Sequence, residues 1–228
     1  HLFVPHFYWI EDEKECLNLN VWTPSMDNNS RLPVIMTVYG GSFDSGYSAE
    51  MQAYEGSNLA SKGNLVYVSV NMRANMLGFF SLSCFGEEYA NSGNRGFEDI
   101  LAALKWVRAN AGTFGGDPDN ITLLGMQGGA LRIRYIMQCP AFRGLFSKAF
   151  LLSGICDHGR PPRAEKFHTL ARAMLKTGGY DENDVTPLVE MDLDELRKLY
   201  RTTIELRPET KVRWCVDLNG WCYGRTED

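Results

Sequence analysis

No stretch of this chain approaches the roughly 20 consecutive apolar residues that a helix needs to cross a bilayer. The longest apolar runs, such as 65–70, have only the length of a strand. Positive charge is not in excess: 23 basic against 28 acidic residues give a formal net charge of −5. The basic footprint of a nucleic-acid binder is absent, so neither nucleic acid nor a membrane is expected as a partner. The six cysteines, Cys16, Cys84, Cys139, Cys156, Cys215 and Cys222, form no Cys-x-x-Cys pair, and no Cys/His group has zinc spacing. No metal or cofactor is called for. Cysteine this sparse reads as reduced, buried thiols rather than a disulfide framework, with Cys215–Cys222 as the one plausible local bridge. Internal repeats and low-complexity segments are missing. So are a Met-plus-basic start and a signal-type apolar segment. The chain opens at His1, which reads as a start that is missing or processed away. Asn28-Asn29-Ser30 and Asn120-Ile121-Thr122 fit the glycosylation pattern. The second leads into an apolar strand and reads as coincidence. Neither decides between a cytoplasmic and a secreted soluble protein.

What is present is ordinary globular composition, 44% hydrophobic and 22% charged over 228 residues, enough for one large core. Residues 1–15 mix aromatics with an acidic run and read as a surface loop. Residues 16–22 alternate apolar and polar, as a half-buried strand does. Residues 33–39 and 65–70 are nearly continuous apolar runs, the pattern of strands covered on both faces. A short helix is predicted over 54–62, and an irregular excursion over 71–94. From Gly96 a strong helix runs with Ile100, Leu101, Ala103, Leu104 and Val107 at helical spacing; Gly112–Pro118 stops it. A strand at 121–125, a helix to 138, a buried strand at 148–153 and helices at 163–177 and 192–200 follow. Phe167, Leu170, Ala173 and Met174 are predicted to face inward, and Ser153 to cap the next segment. The tail from Lys211 is left unassigned. This alternation predicts an α/β fold, a mostly parallel central sheet flanked by helices, with any site beyond the carboxyl ends of the strands.

One stretch organises the rest. In Ile121-Thr122-Leu123-Leu124-Gly125-Met126-Gln127-Gly128-Gly129-Ala130 an apolar strand ends in three glycines within five positions and a helical pattern follows. The frame Gly125-x-x-x-Gly129 matches the strand–elbow–helix of α/β-hydrolases, written Gly-x-Ser-x-Gly. The nucleophile belongs at the middle position, and here that residue is Gln127. An amide cannot replace a hydroxyl as nucleophile.

The motifs around the elbow, taken in order, resemble those of the type-B carboxylesterase family, which includes para-nitrobenzyl-type esterases, cholinesterases and catalytically silent adhesion relatives. The matching segments are 15–24, Tyr39-Gly40-Gly41-Ser42-Phe43, 70–79, 93–99, 103–107, 114–122 and 145–154. The resemblance covers about residues 10–160, and it implies the N-terminal portion of an α/β-hydrolase domain spanning 1–228, incomplete at its C-terminal side. It further implies oxyanion donors at the backbone of Gly40, Gly41 and Gly128, and a buried ion pair between Arg73 and Asp99. The family's Gly-Glu-Ser-Ala-Gly or Gly-Gln-Ser-Ala-Gly is Gly125-Met126-Gln127-Gly128-Gly129 here, different at three adjacent positions. The family's catalytic acid and histidine lie downstream of this chain. None of His1, His6, His158 and His168 sits in a matching motif; His158 beside Asp157 reads as a surface-turn histidine before it reads as a base.

Ester hydrolysis of this kind needs a hydroxyl, a base within hydrogen-bond reach and donors for the oxyanion. Backbone donors survive side-chain drift, and turn geometry alone also retains such glycines. Two readings stand. The first is a carboxylesterase-like protein impaired in catalysis that keeps a binding or structural role, with a small ester-like ligand. The second is an active ester hydrolase that works through Ser42 or is completed by a further part. Gln127 is expected on strained backbone. Strand 148–153 is expected to be a sheet edge that a C-terminal part, a second copy or residues 163–228 would cover.

Overall fold

The structure, a computed structural model, describes residues 15–154, 164–215 and 217. The expected N-terminal loop at 1–14, His1, His6 and His158, and the thiols of Cys156 and Cys222 lie outside the described residues, and with Cys222 the proposed local bridge. Cys84 and Cys139 are free thiols.

In chain order the elements are β1 (Leu19–Trp22), β2 (Leu32–Val38), α1 (Ser57–Gly63), β3 (Val66–Val70), α2 (Asn75–Phe79), α3 (Arg95–Asn110), β4 (Gly116–Met126), α4 (Gly128–Ile136), β5 (Lys148–Leu152), α5 (Ala164–Gly178), α6 (Thr186–Glu190) and α7 (Leu193–Leu206). The strands form one sheet in the order β1-β3-β2-β4-β5. Only β1 runs antiparallel; β3, β2, β4 and β5 are parallel. The fold is therefore α/β with a mostly parallel sheet flanked by helices. Register brings Val38 opposite both Val70 and Gly125, and Gly125 opposite Leu151. The carboxyl ends of four strands thus end level, and the elbow and the Gly40-Gly41 loop leave the sheet side by side.

The apolar strands are apolar because they are buried. All five residues of β3 are buried, as are Val34, Met36 and Val38 of β2. Phe97, Ile100, Leu104 and Val107 form the inward stripe of α3, and Phe167, Leu170, Ala173 and Met174 that of α5.

Several boundaries differ from the sequence reading, each for a local reason. Within 71–94, Met76-Leu77-Gly78-Phe79 lies in a short helix, α2, that buries Gly78 and Phe79. The strand expected at 121–125 begins at Gly116, through Pro118. Leu32 pairs with Gly116, and the β2–β4 register slips between Leu32 and Val34. A bulged stretch is where a residue without an N–H is tolerated in a strand. The helix expected at 192–200 continues to Leu206, capped by Asp192, whose side chain accepts from the N–H groups of Asp194 and Glu195. Helix α6, with a Pro in its first turn, was not foreseen.

Strand β5 is the edge the sequence reading expected, but it is not buried. Its pattern alternates exposed and half-buried, with Phe150 58% and Leu152 40% exposed. Residues 164–215 leave these side chains exposed, so within the described residues the tail does not fold back over them. Ser153 stands at φ 57°; after Gly154 the chain passes outside the described residues, and with it the segment Ser153 was expected to cap.

The connection after β3 is tied to α3 by an ion pair. Arg73 Nη2 lies 2.6 Å from Asp99 Oδ1, and Asp99 Oδ2 accepts both Arg73 Nε and the Arg73 backbone N–H at 2.9 Å. The Asp99 side chain is 6% exposed, whereas that of Arg73 is 32% exposed. The carboxylate alone matches the expected burial; the Arg73 side chain is partly open to solvent. Replacing Asp99 by Asn keeps the shape and removes the charge from a three-bond acceptor. The expected cost is about 2 kcal/mol, the usual worth of hydrogen bonds to a charged group, read as a lowered urea midpoint at unchanged m-value. An unchanged midpoint would show that the pair is energetically idle.

Candidate functional site

The elbow has the geometry of a nucleophile turn with an amide on it. Gln127 joins β4 to α4 at φ 50° and ψ −114°, outside the regions open to side chains with a Cβ. Its side chain is exposed. Its N–H bonds the Leu152 carbonyl at 2.8 Å, and its carbonyl accepts from Leu131 at 3.0 Å. The neighbouring strand and helix therefore both pin the strained residue.

Around it the glycines permit contacts that no side chain would. A Cβ on Gly129 would lie 2.1 Å from the Val38 carbonyl oxygen, and one on Gly128 would lie 2.2 Å from Ser42 N and 2.5 Å from Ser42 Cα. The backbone of 38–42 thus rests directly on the start of α4. Gly40, Gly41, Gly128 and Gln127, singled out separately in the sequence, are brought to one place. At position 128 the resembling family carries alanine; here the loop occupies the space of that methyl group.

The loop is braced from behind. Gly40 N–H donates to the Tyr54 hydroxyl at 3.0 Å, and the Tyr39 hydroxyl donates to the Met72 carbonyl at 2.7 Å. Burial pushes the Tyr39 hydroxyl up to about 12, so it stays a donor at any physiological pH. Beneath the loop sits Arg132 of α4, fully buried, its Nη1 bonded to the carbonyls of Tyr39 at 2.8 Å and Gly40 at 2.9 Å. Sequence reasoning missed Arg132. The available signal was a cation within the apolar face Ala130-Leu131-Ile133-Ile136 of a helix.

No base is assembled at the elbow among the described residues. His168 Nε2 lies 3.1 Å from Ser83 Oγ, on the contact between α5 and the 83–85 turn. Ser83 Oγ lies 3.2 Å from Ser81 Oγ, whose hydroxyl donates to Asp217 at 2.7 Å. Burial pulls the His168 imidazole below its ordinary pKa. Ser42, the other hydroxyl considered, stands at φ 57° with its backbone against Gly128, and no hydrogen-bonded histidine accompanies it among the described residues. No group of three or more His, Cys, Asp or Glu among them is placed to hold a metal ion.

A strand–elbow–helix at the carboxyl edge of a mostly parallel sheet, faced by a glycine loop, defines an α/β-hydrolase. The chain matches the model of the carboxylesterase family over residues 5–217; it belongs to that family. It is 38% identical to the para-nitrobenzyl esterase of Bacillus subtilis (strain 168) over 185 residues, 81% of this chain and 36% of the relative. It is 37% identical to the fumonisin B1 esterase of Sphingopyxis macrogoltabida over 206 residues, 88% of this chain and 36% of the relative. An esterase of Clostridium hathewayi described as hydrolysing aliphatic aromatic polyesters superposes with a TM-score of 0.88 at 39% identity. That match covers 98% of this chain and 44% of the other. The chain thus spans about a third of these curated relatives and under half of the matched structure.

Two substitutions probe the elbow. Gln127→Gly should raise stability by about 1 kcal/mol, because strain of order 1–3 kcal/mol is relieved while glycine's extra freedom in the unfolded chain takes part of it back. Gly128→Ala should lower stability by about 1–3 kcal/mol, the usual cost of overpacking, since the 38–42 loop must move. Urea unfolding of both measures this. A destabilised Gln127→Gly variant would show that the elbow is unstrained.

Proposed function

We propose that this chain is a carboxylesterase-fold protein impaired or inactive in catalysis as it stands, keeping a site for a small ester-like ligand. The observation that carries this is Gln127, exposed on the strained turn where the family places its serine. Losing the serine route removes the covalent step. What binding and backbone donors alone leave is a residual ~10³–10⁴-fold over water, orders of magnitude below a working esterase. The oxyanion role of Gly40, Gly41 and Gly128 belongs to the same proposal. So does a single domain over 1–228 that corresponds to the N-terminal portion of an α/β-hydrolase.

The test is p-nitrophenyl acetate hydrolysis by this chain, by Gln127→Ser and by Ser42→Ala. All three should run within about an order of magnitude of one another and no more than ~10³–10⁴-fold above buffer, since the serine alone lacks a base and the loop fills the space beside it. Multiple turnover by the unaltered chain, abolished in Ser42→Ala, would replace this reading with an active hydrolase working through Ser42.

The partner proposal follows from β5. Its open edge and the exposed Phe150 and Leu152 favour pairing with further polypeptide, either a C-terminal part or a second copy. No helix among the described residues is long and apolar enough to cross a membrane, and the acidic balance fits no nucleic-acid partner. Phe150→Lys should reduce concentration-dependent association in sedimentation velocity. Equal association of both proteins would place the contact elsewhere.

A further inference from the structure

Arg132 is the largest fully buried side chain in the described structure, at 0% exposure. Its Nη1 carries two hydrogen bonds, whereas Nε and Nη2 are buried and have no partner. The guanidinium carbon sits 4.9 Å from the Tyr39 ring centroid and 5.6 Å from that of Phe43. No carboxylate among the described residues pairs with it. Asp44, exposed, and Glu50, half-buried, act on it only at longer range. Burial lowers its pKa to about 10, so it stays charged at neutral pH. Methionine would pack a helix face of alanine, leucine and isoleucine without the desolvation a buried, unpaired charge costs. A charge kept there needs a use.

The geometry supplies one. In a trans peptide the C=O and N–H point opposite ways. Arg132 bonds the carbonyls of Tyr39 and Gly40, so the N–H groups of Gly40 and Gly41 point away from it. The first is taken by the buried Tyr54 hydroxyl and is not available to a ligand. The second finds no acceptor among the described residues. A donor whose own carbonyl is bonded to a cation is polarised, and such bonds reinforce one another. The start of α4 at Gly128 adds positive potential on the same side.

We propose that Arg132 is a positioning residue that turns and polarises the Gly40–Gly41 peptide so that the Gly41 N–H binds a carboxylate. The ligand is thus a small carboxylic acid anion of the kind ester cleavage releases, bound in preference to the neutral ester. This rests on the reading of an impaired hydrolase and narrows its ester-like ligand to the carboxylate half of an ester. In a working one the negative oxygen exists only in passing, after nucleophilic attack. With no nucleophile to create it, a fixed cation behind the donor favours a ligand that is already an anion.

The experiment is a titration of the ¹⁵N-labelled full chain, followed by amide shifts, with sodium acetate, sodium 4-nitrobenzoate and neutral ethyl acetate. Either carboxylate should move the Gly41 amide saturably and ethyl acetate should not. Arg132→Met should weaken that response at least about tenfold, the size expected for losing a charge-assisted contact. Arg132→Lys should recover much of it, which a merely space-filling role would not require. A flat Gly41 response to both carboxylates in the unaltered chain overturns the proposal whether or not Arg132→Met folds. So does equal binding by the Met variant. p-Nitrophenyl acetate turnover in the same samples separates the two claims. Turnover without a carboxylate response sinks both, and turnover with one sinks only the impaired-hydrolase reading.

Discussion

The site depends on one steric condition, the contact of two backbones with no side chain between them. The segment 38–42 lies on the start of α4 because Gly128 and Gly129 present no Cβ to it. Glycine normally weakens a helix start relative to alanine. Here it lets the carbonyls of Tyr39 and Gly40 come within reach of Arg132, and the hydrogen bonds that follow fix the loop. Strain at Gln127, the close approach and the buried cation are parts of one arrangement.

That arrangement separates what a hydrolase scaffold provides from what its side chains provide. The turn, the level strand ends and the close approach of loop to helix are properties of the backbone, and they persist with Gln127 at the tip. The hydroxyl and the base are side-chain properties. Around the tip the differences are mutually consistent: Gln127 on the turn, Gly128 admitting the loop, and Arg132 bonding it. A single replacement at 127 would leave the other two unexplained.

Much of the fold was legible because its signals are local and periodic. The apolar runs of β2 and β3, the stripe of α3 and the glycines of the elbow each declare an element without reference to the rest. The errors have equally physical origins. Pro118 hid the start of β4, because a bulge rather than a loop absorbs it. The apolar composition of β5 suggested an interior strand, yet Phe150 and Leu152 are exposed, since composition reports what a strand is suited to and not what lies beside it. At the site, the chain's resemblance to its family located Gln127 and the glycines. Arg132 stayed hidden because its partners are carbonyls some 90 residues away, and no side-chain pattern records a carbonyl.

The strand order has a consequence for how this chain is made. β1, β3 and β2 all lie within the first 70 residues, so the ribosome can release a three-stranded nucleus early. β2, however, must keep its other side open until Gly116–Met126 emerges, and the β2–β4 ladder then closes a long loop at an entropic cost. During that interval the exposed flank is Leu32–Val38, a strand that is mostly buried in the finished sheet. A nascent chain paused there would offer a hydrophobic strand to any chaperone or neighbouring chain, and the glycine-rich elbow could take its strained turn only after the gap had closed.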